Sequence, residues 1–175
     1  MTDSAANSAS KTAAKGTRAQ PAFTPRPCPA FDLPSSDGGH VSSKGLKGQW
    51  FVLFLYPADN TPTCTQENGE FSAALPQFEA LGVKLFGLSK DSLSDHAKFI
   101  HKYGLKMPLL SDESTASIDA FGSWGEKSLY GRKYMGTDRS TFIVDDAGFI
   151  RAEWRKVRIK GHVDAVLTSV RALKA

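Results

Sequence analysis

Two cysteines occur in the 175 residues, Cys28 and Cys64, and only Cys64 has neighbours that could put a sulfur to work. It lies in the segment Tyr56-Pro57-Ala58-Asp59-Asn60-Thr61-Pro62-Thr63-Cys64-Thr65, directly after the apolar run Trp50 to Tyr56. The run reads as a buried strand, and a helix is expected to begin near Thr63. Cys64 then falls in the first turn, where backbone N–H groups lack carbonyl partners and the helix dipole is positive. Both favour a thiolate, the nucleophilic form of the side chain. Thr61, about one turn earlier, can aim its hydroxyl at the sulfur or at an oxygen of an incoming substrate. Pro57 and Pro62 stiffen the loop and exclude water without adding donors. The plainer alternative, a small residue that starts a helix among incidental neighbours, leaves this agreement unexplained. Cys28 sits between Pro27 and Pro29 and reads as a packing residue. Two cysteines without C-x-x-C spacing make neither a disulfide scaffold nor a dithiol site, which fits a reducing, cytoplasmic setting.

The elements that must position Cys64 alternate between β-type and helical segments. Strands are expected at Phe31 to Leu33, Trp50 to Tyr56, Val83 to Leu88, Pro108 to Leu110, Ser140 to Val144 and Phe149 to Arg155, the last two joined by an Asp145-Asp146-Ala147-Gly148 turn. Helices are expected from Thr63 past Phe71, with Pro76 breaking or restarting the helix, and from Asp91 or Ser92 to Tyr103. Leu93, Ala97 and Ile100 would line one face of the second, and Gly104 would end it. A short helix over Thr115 to Phe121 and an amphipathic one over His162 to Leu173 complete the string β-β-α-β-α-β-α-β-β-α. That order predicts an α/β domain, a mixed central sheet with helices on both faces. Gly122, Gly125, Gly131 and Gly136 mark a flexible loop.

Residues 1–22 form a basic tail, rich in Ala, Ser, Thr and Lys and free of aromatics, that cannot bury enough surface to order. Import into an organelle through this tail is the alternative to a cytoplasmic location. Residues 23–175 are expected to be one domain. No apolar run approaches the ~18 residues of a membrane span. The net charge of +4 gathers at the ends, in Lys11, Lys15 and Arg18 and in Arg151, Arg155, Lys156, Arg158 and Lys160. No nucleic-acid motif accompanies it, so it reads as solvated charge. His96 and His101, five apart, do not align as a metal pair and read as surface residues. His40 is placed in a turn and His162 at a helix start. Trp124 and Tyr130 read as packing residues under the loop. No metal, cofactor or nucleotide site is expected.

The P-x-x-x-T-x-x-C arrangement of Pro57, Thr61 and Cys64 resembles that of the peroxiredoxins, and within them the bacterioferritin-comigratory or Q-type subgroup. Pro108-Leu109-Leu110-Ser111-Asp112, Trp124-Gly125-Glu126-Lys127, Gly131-Arg132-Lys133-Tyr134, Arg139-Ser140-Thr141-Phe142 and Lys160-Gly161-His162 look like that subgroup too, in order, so the likeness covers about Ala30 to Leu173. The resemblance implies a thioredoxin-like fold. It also implies a peroxidase that reduces hydrogen peroxide or organic hydroperoxides through a sulfenic acid on Cys64. Pro57 and Thr61 would complete the loop, and Arg139 would stabilise thiolate and leaving oxygen. Glu67 would orient Arg139 or simply suit a helix start. Where the subgroup often has a resolving cysteine, this chain has Gly69 and, by alignment, Ile100. The sulfenic acid would then be reduced by thioredoxin, glutaredoxin or a low-molecular-weight thiol in a one-cysteine cycle, with Cys28 the internal alternative. The subgroup implies a monomer or weak dimer. The competing function is a redox-sensing or chaperone-like module switched by Cys64 oxidation.

Overall fold

The computed structural model describes residues 23–175, so the expectations for the basic tail, import included, lie outside the described residues. The chain order is β1 (Arg26–Pro27), β2 (Asp32–Pro34), β3 (His40–Ser42), β4 (Trp50–Leu55), α1 (Pro62–Ala80), β5 (Val83–Ser89), α2 (Leu93–Tyr103), β6 (Leu109–Ser111), α3 (Ala116–Ala120), β7 (Trp124–Leu129), β8 (Arg132–Thr137), β9 (Ser140–Val144), β10 (Phe149–Trp154) and α4 (His162–Lys174). Six strands form the main sheet in the order β1-β10-β9-β4-β5-β6. β4, β5 and β6 run parallel, whereas β9, β10 and β1 add antiparallel on the other side of β4. Among the described residues no helix is long and apolar enough to cross a membrane.

β4 is apolar on both faces because both are covered. Val52, Phe54 and Tyr56 point into a core built with Phe71 and Phe78 of α1, Phe99 of α2 and Val163, Val166, Leu167 and Val170 of α4. Phe51, Leu53 and Leu55 point the other way, toward Phe31, Leu33, Ile118, Phe121, Phe142 and Val144. Three helices thus cover one face, and α3 with the β2–β3 hairpin covers the other, as expected of helices on both faces. Phe54 and Phe71 stack with ring centroids 4.2 Å apart, which fixes α1 against the strand that leads into it.

Several local expectations change. α1 runs through Pro76 without a break, because Phe71, Ala74 and Phe78 on either side of it are buried and hold the helix against the sheet. α2 begins at the Ser92 cap and ends at left-handed Gly104 as expected, but its buried face carries His96 and Phe99 with Ile100 beside them, while Leu93 and Ala97 are exposed. His96 is therefore a core residue. His40 lies in β3. The glycine-marked loop is the hairpin β7–β8, turned at Tyr130 and Gly131, both at positive φ. Its residues are mostly polar and solvated on both sides, so the apolar alternation that reveals a strand is missing. Tyr130 at its tip is 98 % exposed and packs nothing, whereas Trp124 does pack on the second core.

Gly87 is the tightest point between β5 and its neighbours: a Cβ there would lie 2.7 Å from Leu109 Cδ2 and 2.8 Å from Phe54 Cζ. Gly87→Ala is expected to cost about 1–3 kcal/mol by overpacking, read as a lower urea midpoint at unchanged slope.

Candidate active site

β4 ends where the polypeptide must turn to start α1, and Pro62 supplies the first helical position with Thr61 as the cap residue. The Thr61 carbonyl accepts the Thr65 N–H at 2.8 Å, so the N–H groups of Thr63 and Cys64 precede the first helical bond. Cys64 points inward from this turn and is 1 % exposed. On the far side of β4, β9 pairs antiparallel with it so that Ser140 faces Leu55. Arg139, just ahead of β9, therefore arrives beside the start of α1. Its Nη2 donates to Cys64 Sγ at 3.3 Å and its Nη1 to Glu67 Oε1 at 2.7 Å. The Val157 N–H holds the Arg139 carbonyl at 3.0 Å.

Glu67, one turn after Cys64 on the same helix face, is fully buried. Its second oxygen, Oε2, has no partner among the described residues. Burial pushes its carboxyl up to about 7 despite the opposing charge and hydrogen bond of Arg139. Burial works against the charge of Arg139 as well, but Glu67 and Cys64 more than offset it and the guanidinium is raised further. His162, at the start of α4, shares its Nε2 with Thr141 Oγ1 at 2.7 Å; burial and the nearby Arg139 charge push it down to about 4, so it is neutral.

Thr61 is exposed, and its hydroxyl donates to the Ala58 carbonyl at 3.2 Å rather than to Cys64. The oxygen lone pairs remain turned to solvent, able to accept from a bound O–H. Pro57 and Arg139 line one open cleft of roughly 590 Å³, whose other wall is Lys127, Ser128 and Tyr134 of the hairpin. The structure thus brings Cys64, Glu67 and Arg139 into contact, with Pro57 on the same cleft as Arg139 and Thr61 at the cap of the helix that carries Cys64.

Cys28 is not brought to them. It packs at the edge of the opposite core, with its N–H on the Gly148 carbonyl and its side chain beside Phe51 and Val144. Phe51 lies near the start of β4 and Leu55 ends it, so Cys28 and Cys64 sit toward opposite ends of a strand stretch of about 13 Å and on opposite faces of the sheet. A disulfide needs Cα atoms within ~7 Å. Burial also pushes the Cys28 thiol up to about 11. In this fold Cys28, considered above as an internal alternative, does not lie beside Cys64.

Sequence reasoning passed over Asp59 and His96. Asp59, in the loop ahead of Thr61, takes the Tyr56 hydroxyl at 2.6 Å and His96 Nδ1 at 2.7 Å. A motif search sees nothing here, since the two residues are 37 positions apart.

A model of the AhpC/TSA family matches residues 25–153. The peroxiredoxin Bcp of Xanthomonas campestris is 41% identical over 148 residues, covering 83% of this chain and 92% of its own. That of Bacillus subtilis is 38% identical over 143 residues, covering 82% and 91%. A solved structure of the Xanthomonas campestris bacterioferritin comigratory protein, described in connection with its alkyl peroxide reduction activity, superposes with a TM-score of 0.79 at 39% identity, over 83% of this chain and 92% of that one.

The two shifted groups beside Arg139 have opposite linkage. Glu67, raised, favours the folded state as pH falls from about 7 toward 4.5; His162, depressed, disfavours it as pH falls from about 6.5 toward 4. Glu67→Gln removes the first effect alone. Its stability is expected to drop more steeply than wild type between pH 6.5 and 4.5, by an amount on the order of 3 kcal/mol, measured by urea unfolding at stepped pH.

Proposed function

This chain belongs to the AhpC/TSA family and is a peroxiredoxin, a thiol peroxidase, and from that premise we propose that Cys64 is its peroxidatic cysteine, working in a one-cysteine cycle. The observation that carries the reading is the Arg139 guanidinium bridging Cys64 Sγ and Glu67 at the first turn of α1. The Cys64 thiolate attacks the terminal oxygen of R–O–O–H. An S–O bond forms, the O–O bond breaks, and RO⁻ leaves and takes a proton from water, with Cys64 oxidised to the sulfenic acid. Negative charge grows on the leaving oxygen as it fades from sulfur, and Arg139 reaches both without reorganising. Thr61 and the N–H groups of the helix start orient the peroxide, and Pro57 closes the wall behind it.

Recovery needs two thiols. The first condenses with the sulfenic acid, releasing water and leaving a mixed disulfide; the second displaces Cys64 as the thiol and departs as the oxidised reductant. Supporting an external donor are the glycine and isoleucine at positions 69 and 100 and the separation of Cys28 from Cys64. Thioredoxin, glutaredoxin and small thiols are the candidates. Hydrogen peroxide and organic hydroperoxides are the proposed substrates, since the cleft is open enough for an alkyl group.

Peroxide consumption coupled to each reductant is expected to vanish in Cys64→Ser and to persist in Cys28→Ser. Arg139→Ala is expected to lower the second-order rate with peroxide by about 10²–10³. After one equivalent of peroxide, intact mass should rise by one oxygen; a loss of two hydrogens, the mark of a Cys28–Cys64 disulfide, would overturn the one-cysteine cycle.

A further inference from the structure

His96 is a histidine with no access to water at all, 0 % exposed, and both ring nitrogens are engaged: Nδ1 lies 2.7 Å from Asp59 Oδ2 and Nε2 lies 2.9 Å from the Leu110 carbonyl oxygen. A carbonyl oxygen only accepts, and so does an ionised carboxylate. Two donated bonds require two ring protons, hence an imidazolium beside a carboxylate. The carboxylate is fully engaged too, since Asp59 Oδ1 accepts the Tyr56 hydroxyl. The Asp59 backbone N–H donates to Asp91 Oδ2 at 2.9 Å, and Asp91 in turn takes the Ser89 hydroxyl at 2.6 Å.

The groups facing His96 are therefore Asp59 from the loop, Tyr56 at the end of β4, Asp91 after β5 and the Leu110 carbonyl of β6. Burial opposes the charge on the ring, but the Asp59 bond and charge, the Leu110 carbonyl and the Asp91 charge together raise it above an ordinary histidine. The pair is thus charged below that raised value and is lost as pH climbs through it.

Its position gives the pair a job. Asp59 is the only residue between Pro57 and Thr63 whose side chain reaches α2 in the hydrogen bonds of the described residues. Asn60, Thr61, Pro62 and Thr63 are all exposed, and Asn60 sits at positive φ. The tether at Asp59 and the first turn of α1 hold this stretch from its two ends, and Cys64, which directly follows it, is 1 % exposed. The cleft reaches Pro57 and Arg139 but is not lined by Cys64, so a bulky reducing thiol, which must approach the sulfur in line with its S–O bond, requires the loop or the helix start to move.

We propose that His96 and Asp59 form a charged latch that ties the loop of residues 57–63 to α2, and so sets how readily the buried Cys64 at the end of that loop is uncovered. His96 is a positioning residue. The inference rests on the assignment of Cys64 above for its consequence in turnover, whereas its test reads the latch without any turnover.

In ¹⁵N-labelled protein at pH 7, His96 is expected to show two slowly exchanging imidazole N–H signals; a single one would overturn the charged pair. In a Cys28→Ser background, modification of Cys64 by N-ethylmaleimide is expected to quicken at least about tenfold in Asp59→Asn and in His96→Gln, equivalent to about 1.4 kcal/mol of opening. The double variant should add little to the larger single effect. Ile150→Val, which weakens the core on the opposite face of the sheet, serves as the control. Equal quickening in Ile150→Val at matched loss of stability, or full additivity in the cycle, would reduce His96 to a packing residue. Should His96→Gln not fold, Asp59→Asn and the wild-type spectrum still decide.

Discussion

A buried sulfur at a helix start meets a cation here, the guanidinium of Arg139, in direct contact. Much of the architecture near the site serves the meeting of these two side chains, which lie 75 residues apart. The antiparallel pairing of β9 with β4 sets Arg139 beside the end of β4, and the Phe54–Phe71 stack sets the first turn of α1 over it. Glu67 takes Nη1 of the guanidinium, while Nη2 turns to the sulfur. A guanidinium suits this better than an ammonium, because its fork holds two acceptors at once in fixed geometry.

The buried charges around this contact do not simply cancel. Glu67 keeps one oxygen unpaired in the interior, His162 stays neutral under the field of Arg139, and both groups are shifted toward their uncharged forms. A buried ion pair with an incompletely satisfied partner stabilises a fold weakly at best. In the proposed reaction its value is preorganisation: the cation already stands where charge would move. Near by, the Asp59–His96 pair is the opposite case, with every polar atom of the two side chains engaged.

The two cysteines illustrate how a single fold assigns different chemistry to one residue type. Cys64 faces a helix start and a guanidinium. Cys28 faces apolar side chains on the other side of the sheet, where burial keeps it a thiol. The sheet between them acts as a wall.

What the sequence by itself determined was whatever is written in short range. The buried run of β4, the proline-framed turn, the helix start at Cys64, the Ser92 cap and Gly104 stop of α2, and the inward face of α4 follow from residues within one or two turns of each other, where periodicity and capping act directly. Arg139 entered through likeness to a family, and no local rule joins it to Cys64; helical spacing puts Glu67 beside Cys64, but its bond to Arg139 spans 72 residues. The hairpin β7–β8 escaped because solvated strands show no apolar alternation. Only the tertiary structure decided that His96 is buried, that it faces Asp59, that Thr61 donates to Ala58, and that Cys28 is walled off. Those outcomes depend on which strands become neighbours and on the free energy of satisfying buried polar groups, quantities carried by the packed chain and by no segment of it.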